Sequence, residues 1–304
     1  MSVQNVLLKS YLRLRVKTKF GPELAIEDAR QQLDEAMRTF MPPLPDGVRV
    51  SPFETDGVRG EWIDTDTADL GRVVLYFHGG GFAMGSPASH RGVTCALARA
   101  LGARVLSVDY RLAPEYPFPA AVDDAVGAYR WLLKNGQDPQ KLVLAGDQAG
   151  GNLVFTTMLR ARDSKLPRAA AGVALSPWLD LAMTGESIRK NAGRDSVLTP
   201  AAMERSIQHY LNGASAVDPL VSPFYADLEG LCPILIQTSK TEILWDDSRR
   251  MQSALLAAGV DARLDAWPDV PHMWQLASFS GARGLPEGRK AIQRIADFLE
   301  EIWS

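Results

Sequence analysis

The stretch Lys141–Gly151, KLVLAGDQAGG, decides how the rest of the chain is read. Its first half (Leu142, Val143, Leu144, Ala145) is an apolar run of strand length that stops at Gly146. Small residues follow at Ala149, Gly150 and Gly151, and a helical pattern runs from Asn152 to Arg162. A strand that turns this sharply into a helix needs glycine, because the two backbones approach closely and the residue at the bend is forced toward strained φ/ψ. The residue at that bend is Gln148. Its side chain is thrust out above the sheet, beside the partial positive charge of a helix N-terminus.

Outward from this bend the same alternation repeats. Apolar runs at Val73–Phe77, Arg104–Val108, Leu142–Ala145, Gly172–Leu175, Ile234–Gln237 and Ala262–Trp267 read as strands. Helical stretches lie near Ser89–Leu101, Ala120–Asn135, Asn152–Arg162, Asp247–Ala258 and Glu287–Ile302. Short strands buried on both faces and joined by helices give an α/β class with a mostly parallel sheet. Upstream, Val48–Phe53 and Val58–Ile63 alternate enough to form an antiparallel ribbon at a sheet edge. Two helical stretches come first, Val3–Val16 and Pro22–Phe40, ended by the breaker-rich MPPLPDG at Met41–Gly47. One long insertion separates Ser176 from Pro233; within it Pro200–Leu211 reads as a helix with Thr199 as N-cap and Pro200 at N1. The expected organisation is a pair of N-terminal cap helices in 1–46 and a catalytic domain in 47–304, with a cap insertion at about 180–216.

Composition narrows the function. The chain has 304 residues, 46% of them apolar, enough for a sizeable core and against disorder. A formal charge of −3 argues against a nucleic-acid partner. Cys95 and Cys232 make no disulfide framework and read as free, structural thiols. Lys9, Arg13 and Arg15 interrupt the N-terminal apolar pattern, which argues against a signal peptide or a membrane span and for a helix packed over the domain. The expectation is a soluble, cytoplasmic protein. No His, Cys and carboxylate cluster has ligand spacing, so no metal is expected.

Three further motifs carry chemistry. His78-Gly79-Gly80-Gly81 follows directly on the strand RVVLYF, about seventy residues before the bend. The backbone N–H groups of Gly80 and Gly81 can converge with that of Ala149 to stabilise an oxyanion. Asp269-Val270-Pro271-His272 follows the last strand, the usual place for a general base, and His272 is the histidine chosen among four. Its acid partner belongs in Ser239–Asp247. Glu242 comes first after the strand, whereas Asp246 and Asp247 read as carboxylates of the next helix start; Glu242 is preferred, with Asp246 second.

Together these segments resemble the bacterial hormone-sensitive-lipase family (family IV) of carboxylesterases, within the α/β-hydrolase superfamily. The resemblance runs from about Arg72 to the C-terminus. It rests on HGGGF at His78–Phe82, DYRLAPEYPFPAAVDD at Asp109–Asp124 and GDQAGG at Gly146–Gly151. SPWLDL at Ser176–Leu181, DPLVSP at Asp218–Pro223, EILWDD at Glu242–Asp247 and PH at Pro271–His272 add to it. It implies an eight-stranded sheet, a helical cap, short- to medium-chain acyl esters as substrates and no cofactor. It also implies a homodimer through the last strand, ARLDAW. The family places its acid thirty residues before its histidine, the separation of Glu242 and His272. It further implies a serine at 148, within the G-x-S-x-G nucleophile elbow, where this chain has Gln148.

A glutamine amide is no nucleophile, so an acyl-enzyme on residue 148 is excluded. Three readings follow: an engineered or inactivated esterase whose parent has serine, a repurposed enzyme, or a non-catalytic receptor for a small hydrophobic ligand. The repurposed enzyme would use His272 and Glu242 as its base, with the oxyanion donors, for non-covalent hydrolysis, elimination or isomerisation. For the wall of the substrate pocket the sequence offers Phe82 beside the glycine loop, Trp178 and Leu179 after the sixth strand, and Ile207, Tyr210 and Leu211 in the insertion helix.

Overall fold

Along Val73–Phe77, Val73, Leu75 and Phe77 enter one apolar core while Val74 and Tyr76 enter another. That is the two-residue period of a strand covered on both faces. The computed structural model describes residues 1–18, 25–40, 44, 46–279 and 284–304. The expected helix start at Pro22 and most of Met41–Gly47 lie outside the described residues. The strands are β1 (Val48–Thr55), β2 (Val58–Thr65), β3 (Asp69–Phe77), β4 (Ala103–Val108), β5 (Leu142–Asp147), β6 (Ala171–Leu175), β7 (Ile234–Ser239) and β8 (Ala262–Trp267). The helices are α1 (Val3–Leu12), α2 (Ile26–Phe40), α3 (Arg91–Leu101), α4 (Ala120–Lys134), α5 (Ala149–Asp163), α6 (Ser187–Lys190), α7 (Pro200–Leu211), α8 (Trp245–Ala257) and α9 (Pro286–Trp303). A π-helical turn at Arg13–Lys17 prolongs α1.

The eight strands form one sheet in the order β1-β2-β4-β3-β5-β6-β7-β8. β2 is antiparallel to both its neighbours, and every pair from β4 to β8 is parallel. The expected edge ribbon is β1–β2, closed by a two-residue turn in which Asp56 (φ 49°) and Gly57 (φ 79°) both lie in the left-handed region, as a type I′ hairpin requires. Helices α3 and α9 cover one face, where Val93, Leu97, Ile295 and Phe298 meet Val74 and Tyr76. Helices α4, α5 and α8 cover the other, where Val122, Tyr129, Phe155 and Met251 join Val73, Leu75 and Phe77. This is the expected α/β-hydrolase architecture, a mostly parallel eight-stranded sheet flanked by helices.

The strand order reverses between β3 and β5. In open α/β sheets the carboxyl ends of strands at such a point border a crevice where ligands bind. The loop after β3 carries the glycine run, and β5 ends at Asp147, directly before Gln148.

Candidate active site

Gln148 holds φ 48° and ψ −107°, a conformation that a side-chain-bearing residue keeps only when its surroundings impose it. They do so from both sides. The Gln148 backbone N–H donates to Leu175 O at 2.9 Å, and its carbonyl accepts from Trp178 N at 3.0 Å. A Cβ on Gly146 would lie 2.4 Å from Gly150 O, and one on Gly150 only 1.9 Å from Phe77 O, so this tight bend admits glycine alone at both positions.

The side chain then reaches across to the glycine loop. Its Oε1 accepts from the backbone nitrogens of Gly80 (3.0 Å), Gly81 (2.7 Å) and Ala149 (3.1 Å). All three partners are N–H donors, so the oxygen of the amide, not its nitrogen, faces them. The three donors expected to converge do converge, and a carbonyl oxygen already sits at their focus. Atom for atom, the glutamine side chain traces a serine that carries an acetyl group. Cγ stands for the ester oxygen, Cδ for the acyl carbon and Oε1 for its carbonyl oxygen.

The loop beneath is braced by buried rings. His78 stacks on Tyr110 with ring centroids 4.2 Å apart, its Nδ1 lies 2.8 Å from Gly79 O, and the Tyr110 hydroxyl donates to His78 O at 2.7 Å. Burial, helped by the neighbouring His90, pushes the His78 pKa down to about 3, so the ring is neutral and acts as packing. Asp147 accepts from the Tyr76 hydroxyl at 2.6 Å and faces His90 Nε2 at 3.3 Å. Arg30 of α2 donates to Ala83 O at 2.8 Å and pairs with Glu115, tying that helix to the loop.

His272, in the loop after β8, places Nδ1 2.8 Å from Glu242 Oε2. The other Glu242 oxygen accepts from Ser176 Oγ and from the Ser239 backbone, each at 2.9 Å. Both members of the pair are buried. Burial alone would lower the His272 pKa, but the bond to Glu242 and its charge outweigh it, and the imidazole stands above its usual value. Burial raises Glu242, only partly offset by His272. Asp246, the second candidate, instead accepts from Ser187 N at 2.9 Å and makes no bond to His272. With Nδ1 engaged, Nε2 is the His272 nitrogen left for chemistry.

Gln148 and His272 line one cavity of about 220 Å³. Its wall is mostly apolar: Leu8, Leu12 and Val16 from the first helix and its π-helical extension, Leu33 and Met37 from α2, and Met203 from α7. The six residues expected at this wall do not line it. Phe82, Trp178, Leu179 and Tyr210 are fully buried in the core, and Phe82 stacks on Tyr210 with centroids 3.8 Å apart. Ile207 and Leu211 pack against the same core. For Ile207, Tyr210 and Leu211 the reason is the roll of α7, which turns Ala202, Met203 and Ser206 to the cavity and the neighbouring face inward, whereas Phe82, Trp178 and Leu179 are drawn into the apolar core directly after their strands. Sequence reasoning missed Leu8, Leu12 and Val16, although their four-residue spacing marks one helix face. It also missed Ser176 as a partner of Glu242, although that serine opens the SPWLDL motif.

Residues 74–276 match the Abhydrolase_3 family, alpha/beta hydrolase fold. The chain belongs to that family. An acetyl-hydrolase of Streptomyces hygroscopicus is 40% identical over 296 residues, covering 96% of this chain and 95% of that protein. An esterase of Acinetobacter venetianus is 35% identical, covering 97% and 95% respectively. A solved esterase of the bacterial hormone-sensitive lipase family superposes with a TM-score of 0.93 at 42% identity, covering 100% of this chain and 99% of that one. This chain is therefore a hydrolase by family, of the hormone-sensitive-lipase esterase type.

Proposed function

We propose that this chain is a carboxylesterase for small apolar acyl esters in which the attacking serine has been replaced, so that the Gln148 form is inactive by the acyl-enzyme route. The observation that carries this reading is the Gln148 Oε1 held by Gly80, Gly81 and Ala149, with the His272–Glu242 pair intact beside it. Gly80, Gly81 and Ala149 are assigned as oxyanion donors, His272 as general base and Glu242 as the residue that fixes its tautomer. On this reading only the nucleophile is missing. A site repurposed for elimination or isomerisation needs those donors free for an enolate, and Gln148 occupies them, so the geometry favours the esterase reading over that alternative. A receptor for a small hydrophobic ligand would use the apolar walls of the same cavity.

In the same reading, residues 1–46 and about 180–216 act as a cap. Support comes from the cavity wall, to which α1, α2 and α7 all contribute. β8 ends the sheet and is assigned as the edge of a homodimer, which light scattering on the purified chain tests.

The deciding experiment is Gln148→Ser with p-nitrophenyl butyrate as substrate. Turnover by the revertant, absent from the parent, is the expected result. A folded but inert revertant overturns the esterase reading. Saturable thermal stabilisation by short-chain hydrocarbons, with an inert revertant, would leave the receptor in its place.

A further inference from the structure

We propose that the site acts on its own residue: Gln148 is hydrolysed in the folded protein, its amide becoming a carboxylate with release of ammonia. This rests on the reading above that the donors and the His272–Glu242 pair are competent. A primary amide is inert in water because its carbonyl is poorly electrophilic and no base activates the attacking water. Both deficits are met here. Three backbone N–H groups polarise the Cδ–Oε1 bond at 2.7–3.1 Å, as they would a bound ester. The adjoining cavity far exceeds the roughly 10–15 Å³ that one water needs, and His272 shares its wall with Gln148.

Each proton and electron pair has a place to go. Water attacks Cδ and gives a proton to His272 Nε2, while Glu242 stabilises the imidazolium. The carbonyl electron pair moves onto Oε1, held by the three donors. Collapse of that oxyanion breaks the Cδ–Nε2 bond, and the imidazolium proton goes to the departing nitrogen, which leaves as ammonia. The new carboxyl group passes its proton to the ammonia. The product carboxylate keeps the three backbone hydrogen bonds, which favour its charged form.

Other buried glutamines lack these features. Gln275 Oε1 has no hydrogen-bond partner, and Gln237 Oε1 accepts one bond, from Gln275 Nε2 at 3.0 Å, where Gln148 Oε1 accepts three. Conversion is therefore specific to residue 148.

The experiment follows the unmodified chain by peptide mass spectrometry during incubation in heavy-oxygen water. The expected result is progressive conversion at Gln148, with heavy oxygen incorporated there and with Gln237 and Gln275 unchanged. Conversion should stop in urea, where the chain carries the same glutamine without the fold. It should slow by about a hundredfold in His272→Ala, the contribution of a positioned base. The urea comparison holds even if that variant folds poorly. No conversion in the native chain, an equal rate in urea, or an equal rate in folded His272→Ala overturns the proposal. An active Gln148→Ser revertant with an unconverted parent rejects self-hydrolysis alone, whereas an inert revertant removes the esterase reading beneath it.

Discussion

The Gln148 side-chain oxygen lies 2.7 Å from the Gly81 backbone nitrogen, nearer than to either of its other two donors. A serine at the same bend ends two bonds earlier, so its hydroxyl stops short of the donors and leaves them to a substrate. Length, as much as chemistry, separates the two residues.

Restoring serine makes the role of the acid measurable. In a Gln148→Ser background, Glu242→Gln removes the charge that holds His272 in its tautomer while preserving the bonds from Ser176 and Ser239 to Oε1. A drop in kcat of about 10⁴ with little change in KM is expected, in line with loss of the acid in other triads. Steady-state kinetics on the two variants checks it.

The same revertant should lose activity in acid. Protonated His272 cannot accept a proton, and its pKa is raised above 6.5 because Glu242 favours the imidazolium. The acid limb of the kcat/KM profile is expected to have its midpoint above 6.5. A midpoint below that value would show that burial, not the carboxylate, dominates.

Stability should respond to another carboxyl. Burial lifts Asp247 from 3.8 to about 7, although it accepts from Leu179 N and Asp180 N. Between those values Asp247 holds more proton in the folded than in the unfolded chain, so its contribution to stability falls as pH rises through that window and levels off above it. In Asp247→Asn the share of the decline that belongs to Asp247 should disappear and the slope should become shallower. Thermal melts of both proteins across the window provide the comparison.

Core and cavity positions should separate cleanly in mutants of the revertant. Trp178→Ala, in the core, is expected to cost about 3–5 kcal/mol of stability and to leave chain-length preference unchanged. Leu12→Trp, at the cavity wall, should leave the melting temperature nearly unchanged and shorten the longest acyl chain accepted. Chemical denaturation and a p-nitrophenyl ester series measure the two effects.

How much of this was legible depends on the kind of residue. Strands were readable because both faces are covered, which leaves unbroken apolar runs such as Leu142–Ala145. The convergence of the Gly80, Gly81 and Ala149 N–H groups and the His272–Glu242 contact were readable because each sits at a strand end with its own local signal: a glycine run, a carboxylate, a histidine in a loop. α5 starts at Ala149, ahead of the expected Asn152, since Gly150 and Gly151 lower helix propensity while close packing demands them. α6 has only four residues and no periodicity to detect. Pocket walls were misread because Tyr210 and Met203 share one helix, and the tertiary roll of α7 decides which faces the cavity. That Gln148 would turn its oxygen into the donors was not legible, because it depends on the reach of one rotamer.

A carbonyl tethered to the backbone never dilutes. Its effective concentration at the three nitrogens far exceeds anything a dissolved ester attains, so the chain carries a permanent intramolecular competitor. Small molecules that seek those nitrogens meet a rival that cannot leave. Ligands for this protein are better sought among hydrocarbons and ethers that fill the space between Leu8, Leu12 and Met203 than among compounds with a strong acceptor atom.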